Sequence, residues 1–374
     1  MINRRILILG GYGNFGKRIA EDLSSIHGIT LLIAGRNINK AQTLVNKLTP
    51  TANAQLTALA IDINSESFRQ DLKSLSPFLV IHTGGPFQNQ DHRVPKACIE
   101  ADTHYIDLAD DSKFVCDIQH LNPEAKAKNL LIISGASSVP GLSSAVLDYY
   151  QPQFSSIQDI EIAIAPGNKA ERGAATIGGI LSYIGKPIPG FKNGKQFPSY
   201  GWMNIQKVNF GGIIGKRWLA NVDVPDLSIY PARYNVKGSV SFQAGLELTV
   251  LHLTMNIMAW LTKLRLFQGW NKLTKPIYFI SKIFSVFGTN KGAMRISING
   301  EDGKTTKKIT WTLFADNGVG PYIPTVSAII MARKLIFQET NITGAMPCLG
   351  LYELADFSPY IESLGLTTQE SCDG

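Results

Sequence analysis

The sequence predicts an α/β chain in which one domain is wound around a parallel sheet and a second, α+β domain is inserted. Three observations predict it. Short apolar runs alternate with helical patterns over residues 1–140, a glycine-rich turn joins the first run to the first helix, and beyond Gly141 the pattern shifts to longer alternating segments. At 374 residues the chain is long enough for two cores. The domains are read as 1–140 and 141–321, with 322–374 expected to pack back on the first.

The first element is the apolar run Arg5–Leu9, long enough for a buried strand and too short for a helix. G-x-G-x-x-G follows on Gly11, Gly13 and Gly16, and Phe15, Ile19, Leu23 and Ile26 then recur at helical spacing. In a Rossmann-type domain Gly11 makes the tight turn, Gly13 lets the backbone approach a pyrophosphate, and Gly16 lets the helix pack on the strand. The helix N-terminus presents its unpaired N–H groups to the phosphates. The same residues fit most of a triphosphate-binding loop. Arg18, however, stands where that loop needs a hydroxyl for magnesium, which argues against a nucleotide triphosphatase.

The second strand, Ile29–Ala34, ends at Gly35-Arg36-Asn37. A carboxylate here would accept the ribose hydroxyls of NAD, whereas arginine matches a 2′-phosphate. No acid is present, and Arg36 is followed by Lys40, so NADP is expected over NAD. The third strand, Leu56–Ile61, brings Asp62 to its tip, either to accept from an adenine amino group or to cap the next helix. The fourth, Phe78–His82, runs into Thr83-Gly84-Gly85-Pro86-Phe87, whose glycines permit close approach of a ligand. His82 lies in an apolar run and is read as a hydrogen-bonded core histidine ahead of a catalytic one. A helix over Val94–Ala101 and a strand over His104–Leu108 follow, with Asp110-Asp111 opening the next helix. The sixth strand, Leu130–Ser134, leads to Gly135–Gly141, where Val139 replaces the last glycine of a nucleophile elbow, so a serine hydrolase is unsupported.

In the second domain a helix over 142–149, a strand over 157–165 and a small-residue segment over 172–184 precede irregular Gly/Pro-rich loops. Residues 294–298 and 308–313 alternate strictly around Gly300–Gly303 and predict an antiparallel hairpin with a loop of several residues. A helix from Pro324 to Ile336 is apolar enough to return to the first domain.

Charge is localised. The net +7 is matched by seven cations between Glu247 and Glu301 (Lys263, Arg265, Lys272, Lys275, Lys282, Lys291 and Arg295), an interval without one acidic residue. It overlaps the apolar stretch Ala244–Leu261 and the shorter Ile277–Phe287. Segment 244–290 has three readings: buried or homodimer-interface helices, an interfacial segment on an anionic membrane, or a true span. Trp260, Trp270 and the interleaved lysines favour an interface over a span. No nucleic-acid-binding motif accompanies the charge, so nucleic acid is not expected as a partner. The four cysteines (Cys98, Cys116, Cys348 and Cys372) are scattered, without metal-like spacing, and no metal is expected. They are read as free thiols, Cys98 and Cys116 as core. With no leader pattern at the N-terminus, the expected location is cytoplasmic, extending to the inner face of a membrane.

The loop Gly10–Gly16 and the stretches Ala34-Gly35-Arg36-Asn37, Gly84-Gly85-Pro86-Phe87, Ala97-Cys98 and His104-Tyr105-Ile106-Asp107, with Gly320-Pro321-Tyr322 before an apolar helix, resemble saccharopine dehydrogenase-like oxidoreductases. The resemblance is most specific over the first 140 residues or so and diffuse in the middle. It implies an N-terminal dinucleotide-binding domain, an inserted domain for substrate and dimerisation, and a C-terminal segment returning to the first. It implies cofactor contacts at Gly11, Gly13, Asn14, Phe15, Gly16, Arg36, Asp62 and the Gly85-Pro86-Phe87 loop. The family includes amino-acid dehydrogenases acting through an imine and enzymes resembling trans-acting enoyl reductases of lipid synthesis. His82-Thr83 and the basic apolar segment depart from the amino-acid dehydrogenases, which favours a hydrophobic substrate over saccharopine.

Hydride transfer needs a proton donor beside the reacting carbon. Asp107, Tyr105 and Asp110 lie at the expected active edge, Asp110 having an N-cap role as its alternative. Arg172, Arg217 and Arg233 can bind an acidic group, although ordinary surface roles are favoured for each. The expected protein is an NADP-dependent oxidoreductase reducing an imine, enone or carbonyl of a small-molecule substrate. The competing class is a non-catalytic NADP-binding protein acting at a membrane or with a partner.

Overall fold

The computed structural model describes residues 4–373. Two compact units emerge: one holds the chain up to Gly141 together with Tyr322–Leu349, the other Leu142–Pro321 together with the residues from Gly350 on.

The first unit begins β1 (Arg4–Leu9), α1 (Gly16–Leu23), β2 (Ile29–Gly35), α2 (Ile38–Leu48), β3 (Gln55–Ala60), α3 (Phe68–Leu75) and β4 (Leu79–His82). It continues α4 (Arg93–Glu100), β5 (His104–Asp107), α5 (Ser112–Asp117), α6 (Asn122–Ala127) and β6 (Leu131–Ser134). The second unit then runs α7 (Ser143–Tyr150), β7 (Ser156–Ala165), α8 (Ala174–Tyr183), β8 (Pro187–Lys192), β9 (Lys195–Tyr200), β10 (Gln206–Asn209) and β11 (Lys216–Asn221). After α9 (Asp226–Arg233) and β12 (Ser239–Ala244) come α10 (Thr249–Lys263), α11 (Thr274–Phe284), β13 (Gly292–Asp302) and β14 (Thr305–Ala315). The chain re-enters the first unit with α12 (Ile323–Ile336) and β15 (Gly344–Pro347), and ends in the second with α13 (Ser358–Ser363) and β16 (Thr367–Asp373).

The first sheet has the order β3-β2-β1-β4-β5-β6-β15, and every neighbouring pair is parallel. Helices on both faces explain why β1, β4 and β6 are apolar runs instead of alternating ones. Ile6, Leu7, Ile8, Leu79 and Ile81 have no solvent exposure, and truncating any of them to alanine would cost about 2–5 kcal/mol. The strand order reverses between β1 and β4, so the loops leaving their carboxyl ends flank the crevice where such sheets bind ligands. Helix α12 is buried on almost every side, packed against α1 and β5. Arg333 fixes it there through Asp22 at 2.8 Å.

The second sheet is mixed, in the order β10-β11-β12-β7-β13-β14-β16, with β8 and β9 attached at β12. The expected hairpin is β13–β14, and its turn is tighter than the sequence suggested: the strands run on to Asp302 and Thr305, leaving Gly303 at φ +64° to turn the chain. The region read as irregular contains a second hairpin, β8–β9, turned by Asn193 (φ +52°) and Gly194 (φ +71°). These are the residues that tolerate positive φ in a two-residue turn.

One sequence expectation is corrected. Residues 350–374 do not join the first unit, because β16 pairs antiparallel with β14 from Thr367–Phe314 to Asp373–Lys308. Its side chains are exposed throughout, so backbone pairing places it, with no apolar period to announce it. In segment 244–290, α10 and α11 are separate helices, and among the described residues no helix is long and apolar enough to cross a membrane. Glu247 closes this excursion. Its carboxylate accepts from the Asn168 amide (2.7 Å) and from the Thr289 amide and hydroxyl (both 2.8 Å). Burial opposes ionisation of Glu247, but these donors outweigh it and hold the carboxyl below the usual range.

Candidate cofactor site

The glycine loop is built from three directions. Gly10 leaves β1 at φ +74°, the Gly11 amide donates to Ala34 O on β2 at 2.9 Å, and the Gly13 amide returns to Gly10 O at 2.8 Å. Helix α1 starts at Gly16 so close to the strand that a Cβ there would lie 2.7 Å from Gly11 Cα and also strike Gly10 O. That contact is why the motif's last glycine admits no side chain. In the first turn of α1 the Lys17 amide donates to Gly13 O (3.1 Å) and the Arg18 and Ile19 amides to Phe15 O (both 3.1 Å), so the helix's positive end is tied directly to the loop.

Two residues outside the motif shape it. The Thr83 hydroxyl, just past β4, reaches the carbonyls of Leu9 (2.9 Å) and Gly10 (3.1 Å). Arg18 is buried, lies 4.8 Å from the Tyr322 ring centroid, and donates to the backbone oxygen and Oδ1 of Asn14, the latter at 2.6 Å. Sequence reading used Arg18 only to exclude a magnesium site and saw Thr83 only as a departure from relatives. Nothing in the spacing revealed the Thr83 bonds or the Arg18–Tyr322 contact, which join residues far apart in the chain.

At the β2 tip, Tyr12 lies across Gly35, where a Cβ would be 2.5 Å from its ring. Its hydroxyl accepts from the Asn37 amide at 3.0 Å, while Asn37 Oδ1 caps α2 through the Lys40 amide at 3.1 Å. Arg36 and Lys40 are exposed, and α2 has no acid in its first turn. This chemistry suits a phosphate ester and offers no carboxylate to accept from a ribose diol. Asp62 is exposed beyond β3. It accepts from the Asn64 amide at 3.0 Å in a local turn and does not cap α3, which begins after Ser67.

Beyond β4, Gln90 Nε2 donates to Gly84 O (3.0 Å) and Pro86 O (2.7 Å), bracing the Gly85-Pro86-Phe87 loop. Pro86 is exposed, whereas Phe87 is buried against His82 and Phe114, so the loop's backbone and Pro86 form its open surface. His82 is fully buried, with Nδ1 3.1 Å from the Tyr105 hydroxyl. Burial pushes its pKa down to about 4, so it is neutral at physiological pH.

The three acid–base candidates separate by environment. Tyr105 and Asp107 have no solvent exposure. Asp107 Oδ1 accepts from the Gly135 amide (2.8 Å), the Ala109 amide (2.9 Å) and the Ser134 hydroxyl (3.0 Å), tying the turns after β5 and β6 together. Burial pushes its carboxyl up to about 6, with these donors restraining the rise. Burial likewise raises the Tyr105 phenol well above its ordinary value. Asp110 is exposed and accepts from Gln88 Nε2 at 3.1 Å. It does not cap α5; Asp111 does, through the Phe114 amide at 2.8 Å.

The arginines of the second unit are engaged locally. Arg172 bonds Gly167 O (3.1 Å), Arg217 approaches Glu247 (3.4 Å) and Arg233 pairs with Asp148 (2.8 Å). All four cysteines are free thiols, and Cys116 is half-buried, less enclosed than its core reading implied.

Residues 6–133 match the saccharopine dehydrogenase NADP binding domain. No curated protein matches the chain. Among solved structures, saccharopine dehydrogenase (L-Glu forming) from Saccharomyces cerevisiae aligns over 100% of both chains with a TM-score of 0.65 at 11% identity. An amine dehydrogenase from Mycobacterium smegmatis aligns over 92% of this chain and 94% of its own, with a TM-score of 0.48 at 10% identity. Residues 6–133 thus form a saccharopine dehydrogenase-type NADP-binding domain, in a chain that has the fold of saccharopine dehydrogenase.

Proposed function

We propose that the protein transfers hydride between NADP(H) and an imine, enone or carbonyl carried on a hydrophobic small molecule. The observation carrying this reading is the β2 tip, where exposed Arg36 and Lys40 stand beside the glycine loop with no carboxylate among residues 35–40. In this reading Arg36 and Lys40 hold the 2′-phosphate, the glycine loop at the positive end of α1 holds the pyrophosphate, and Asp62 accepts from the adenine amino group. Asn14, kept in place by Arg18, and the backbone of the Gly85-Pro86-Phe87 loop complete the cradle. When bound, the reduced cofactor supplies the hydride, and a proton must reach the substrate to balance it. Asp110 exchanges that proton with water, since it is the exposed residue of the three candidates, and desolvation around its carboxyl raises its pKa. Asp107 and Tyr105 hold the turns that carry it. The free thiols support a reducing, cytoplasmic setting.

The second reading, a non-catalytic NADP-binding protein, draws on the exposed apolar surface described below. Titration of NADPH and NADH against the protein, followed by NADPH oxidation with amine-derived and lipid-derived carbonyl panels, separates the two. Tight NADPH binding with substrate-dependent turnover supports the enzyme. Binding without turnover across both panels supports the second reading, and binding of neither nucleotide removes both.

A further inference from the structure

Of the nineteen large apolar side chains exposed among the described residues, thirteen lie between Val250 and Phe287. They follow helical spacing. On α10, Val250, Leu253, Ile257 and Trp260 recur every three or four residues, with Leu264 one turn further; on α11, Phe279 and Ile283 lie one turn apart with Ile280 between them. Ile257 is 60% exposed and Phe279 66%. The opposite faces of both helices are accounted for: Met258 and Ala259 of α10 and Ile277 and Tyr278 of α11 join one core with Leu181 and Trp202. The Trp270 indole donates to Thr262 Oγ1 at 2.9 Å and so ties the linker between the helices to α10. Each helix therefore has a filled inner face and an apolar outer one, which a water-facing helix does not carry.

Charge identifies what covers it. Lys263 lies 5.4 Å from the Trp260 ring centroid, and Lys282 lies 4.7 Å from that of Tyr278. Arg265, Lys272 and Lys275 are exposed nearby in sequence, and no acid occurs from residue 248 to 300. A second copy of the chain meeting the same patch across a two-fold axis would set these cations against each other with no acid on either side. An anionic lipid surface instead neutralises these cations while its acyl boundary accepts the apolar stripe and Trp260. We propose that α10 and α11 form an interfacial membrane anchor, lying in one leaflet of an anionic bilayer without crossing it. This stands independently of the cofactor reading, because the glycine loop belongs to the other unit.

The test is co-sedimentation of the full chain with phosphatidylcholine vesicles, with and without phosphatidylglycerol. The expected result is pelleting with the anionic vesicles, falling at high salt, and reduced about tenfold in the double variant Ile257→Glu, Ile283→Glu. Both positions are exposed, so the variant should melt like the parent, and a charge variant, Lys275→Glu with Lys282→Glu, should lose pelleting with it. Absence of pelleting with anionic vesicles overturns the proposal, as does pelleting that neither variant alters. A solution dimer that Ile257→Glu, Ile283→Glu converts to monomers, without vesicle binding by the parent, assigns the face to a second copy and also overturns it.

Discussion

The Asn37 amide donates to the Tyr12 hydroxyl at 3.0 Å, joining the middle of the glycine motif to the tip of β2. One side chain thus sets the distance between the pyrophosphate turn and the cations expected to meet the 2′-phosphate. Tyr12→Phe should weaken NADPH binding about 3–10-fold, the effect of losing one ordinary hydrogen bond of about 1 kcal/mol, with little change in melting. Isothermal titration checks it; an unchanged affinity would show that the tip holds itself.

Arg36→Ala should weaken NADPH about 10–100-fold and NADH far less, since only the former carries the charge that a guanidinium pairs with. Equal losses for both nucleotides would place Arg36 away from the 2′ position.

Gly16→Ala should abolish nucleotide binding, because its Cβ would lie 2.7 Å from Gly11 Cα and the helix would have to move off the strand. Thr83→Val keeps the shape but loses both hydroxyl bonds, so a weaker NADPH affinity with kcat largely kept is expected. A kcat loss at saturating NADPH would give Thr83 a different role.

Asp107→Asn preserves the Oδ1 acceptor that three donors share, and should retain fold and turnover. Asp107→Ala strands those donors and should cost roughly 2–4 kcal/mol in urea unfolding. If Asp107→Asn folds normally yet kcat collapses, Asp107 handles a proton and is not merely a clasp.

A pH signature is expected from the second unit. Asp226 is fully buried, bonded to the Ser143 hydroxyl at 2.7 Å, and burial pushes its pKa up to about 7. A carboxyl that holds its proton more tightly when folded adds stability that is complete below about pH 4 and lost as pH rises through about 7. His82 and His252, pushed down to about 4, act oppositely: their contribution is present above about 6.5 and lost as pH falls through about 4. The difference between parent and Asp226→Asn isolates the carboxyl, since the histidines cancel. The parent should lose stability relative to the variant between pH 4 and 7, and denaturation midpoints that track in parallel would refute it.

The first unit was legible because its signals are local: G-x-G-x-x-G, apolar runs of strand length, and Gly35-Arg36-Asn37 at a strand tip. What escaped depended on partners far away in sequence. The Thr83 bonds span 73 and 74 residues, and no period encodes them. Strand β16 reads Thr-Thr-Gln-Glu-Ser-Cys-Asp and gains its place from backbone pairing with β14 and from the Tyr150 hydroxyl, which donates to Glu370 at 2.7 Å. The β8–β9 hairpin carried a turn signal in Asn193-Gly194, but Pro187, Pro189 and Pro198 masked its strands: β9 is a free edge, and β8 meets β12 at the single pair Phe191–Val240, so both tolerate proline. Asp107 was singled out for its position at a strand end, which buried clasps and catalytic acids share.

The return of α12 and β15 to the first sheet also sets an order of events during synthesis. Strand β6 ends at Ser134 and its neighbour β15 begins at Gly344, while the ring over Arg18 belongs to Tyr322. At about 5–20 residues per second, a ribosome spends on the order of 10–40 s making the intervening chain. Throughout that interval β6 is an open, apolar edge and the Arg18–Asn14 brace has no lid. A nascent chain stalled before residue 322 should therefore bind NADPH poorly and attract chaperones, although its whole glycine motif has already been made.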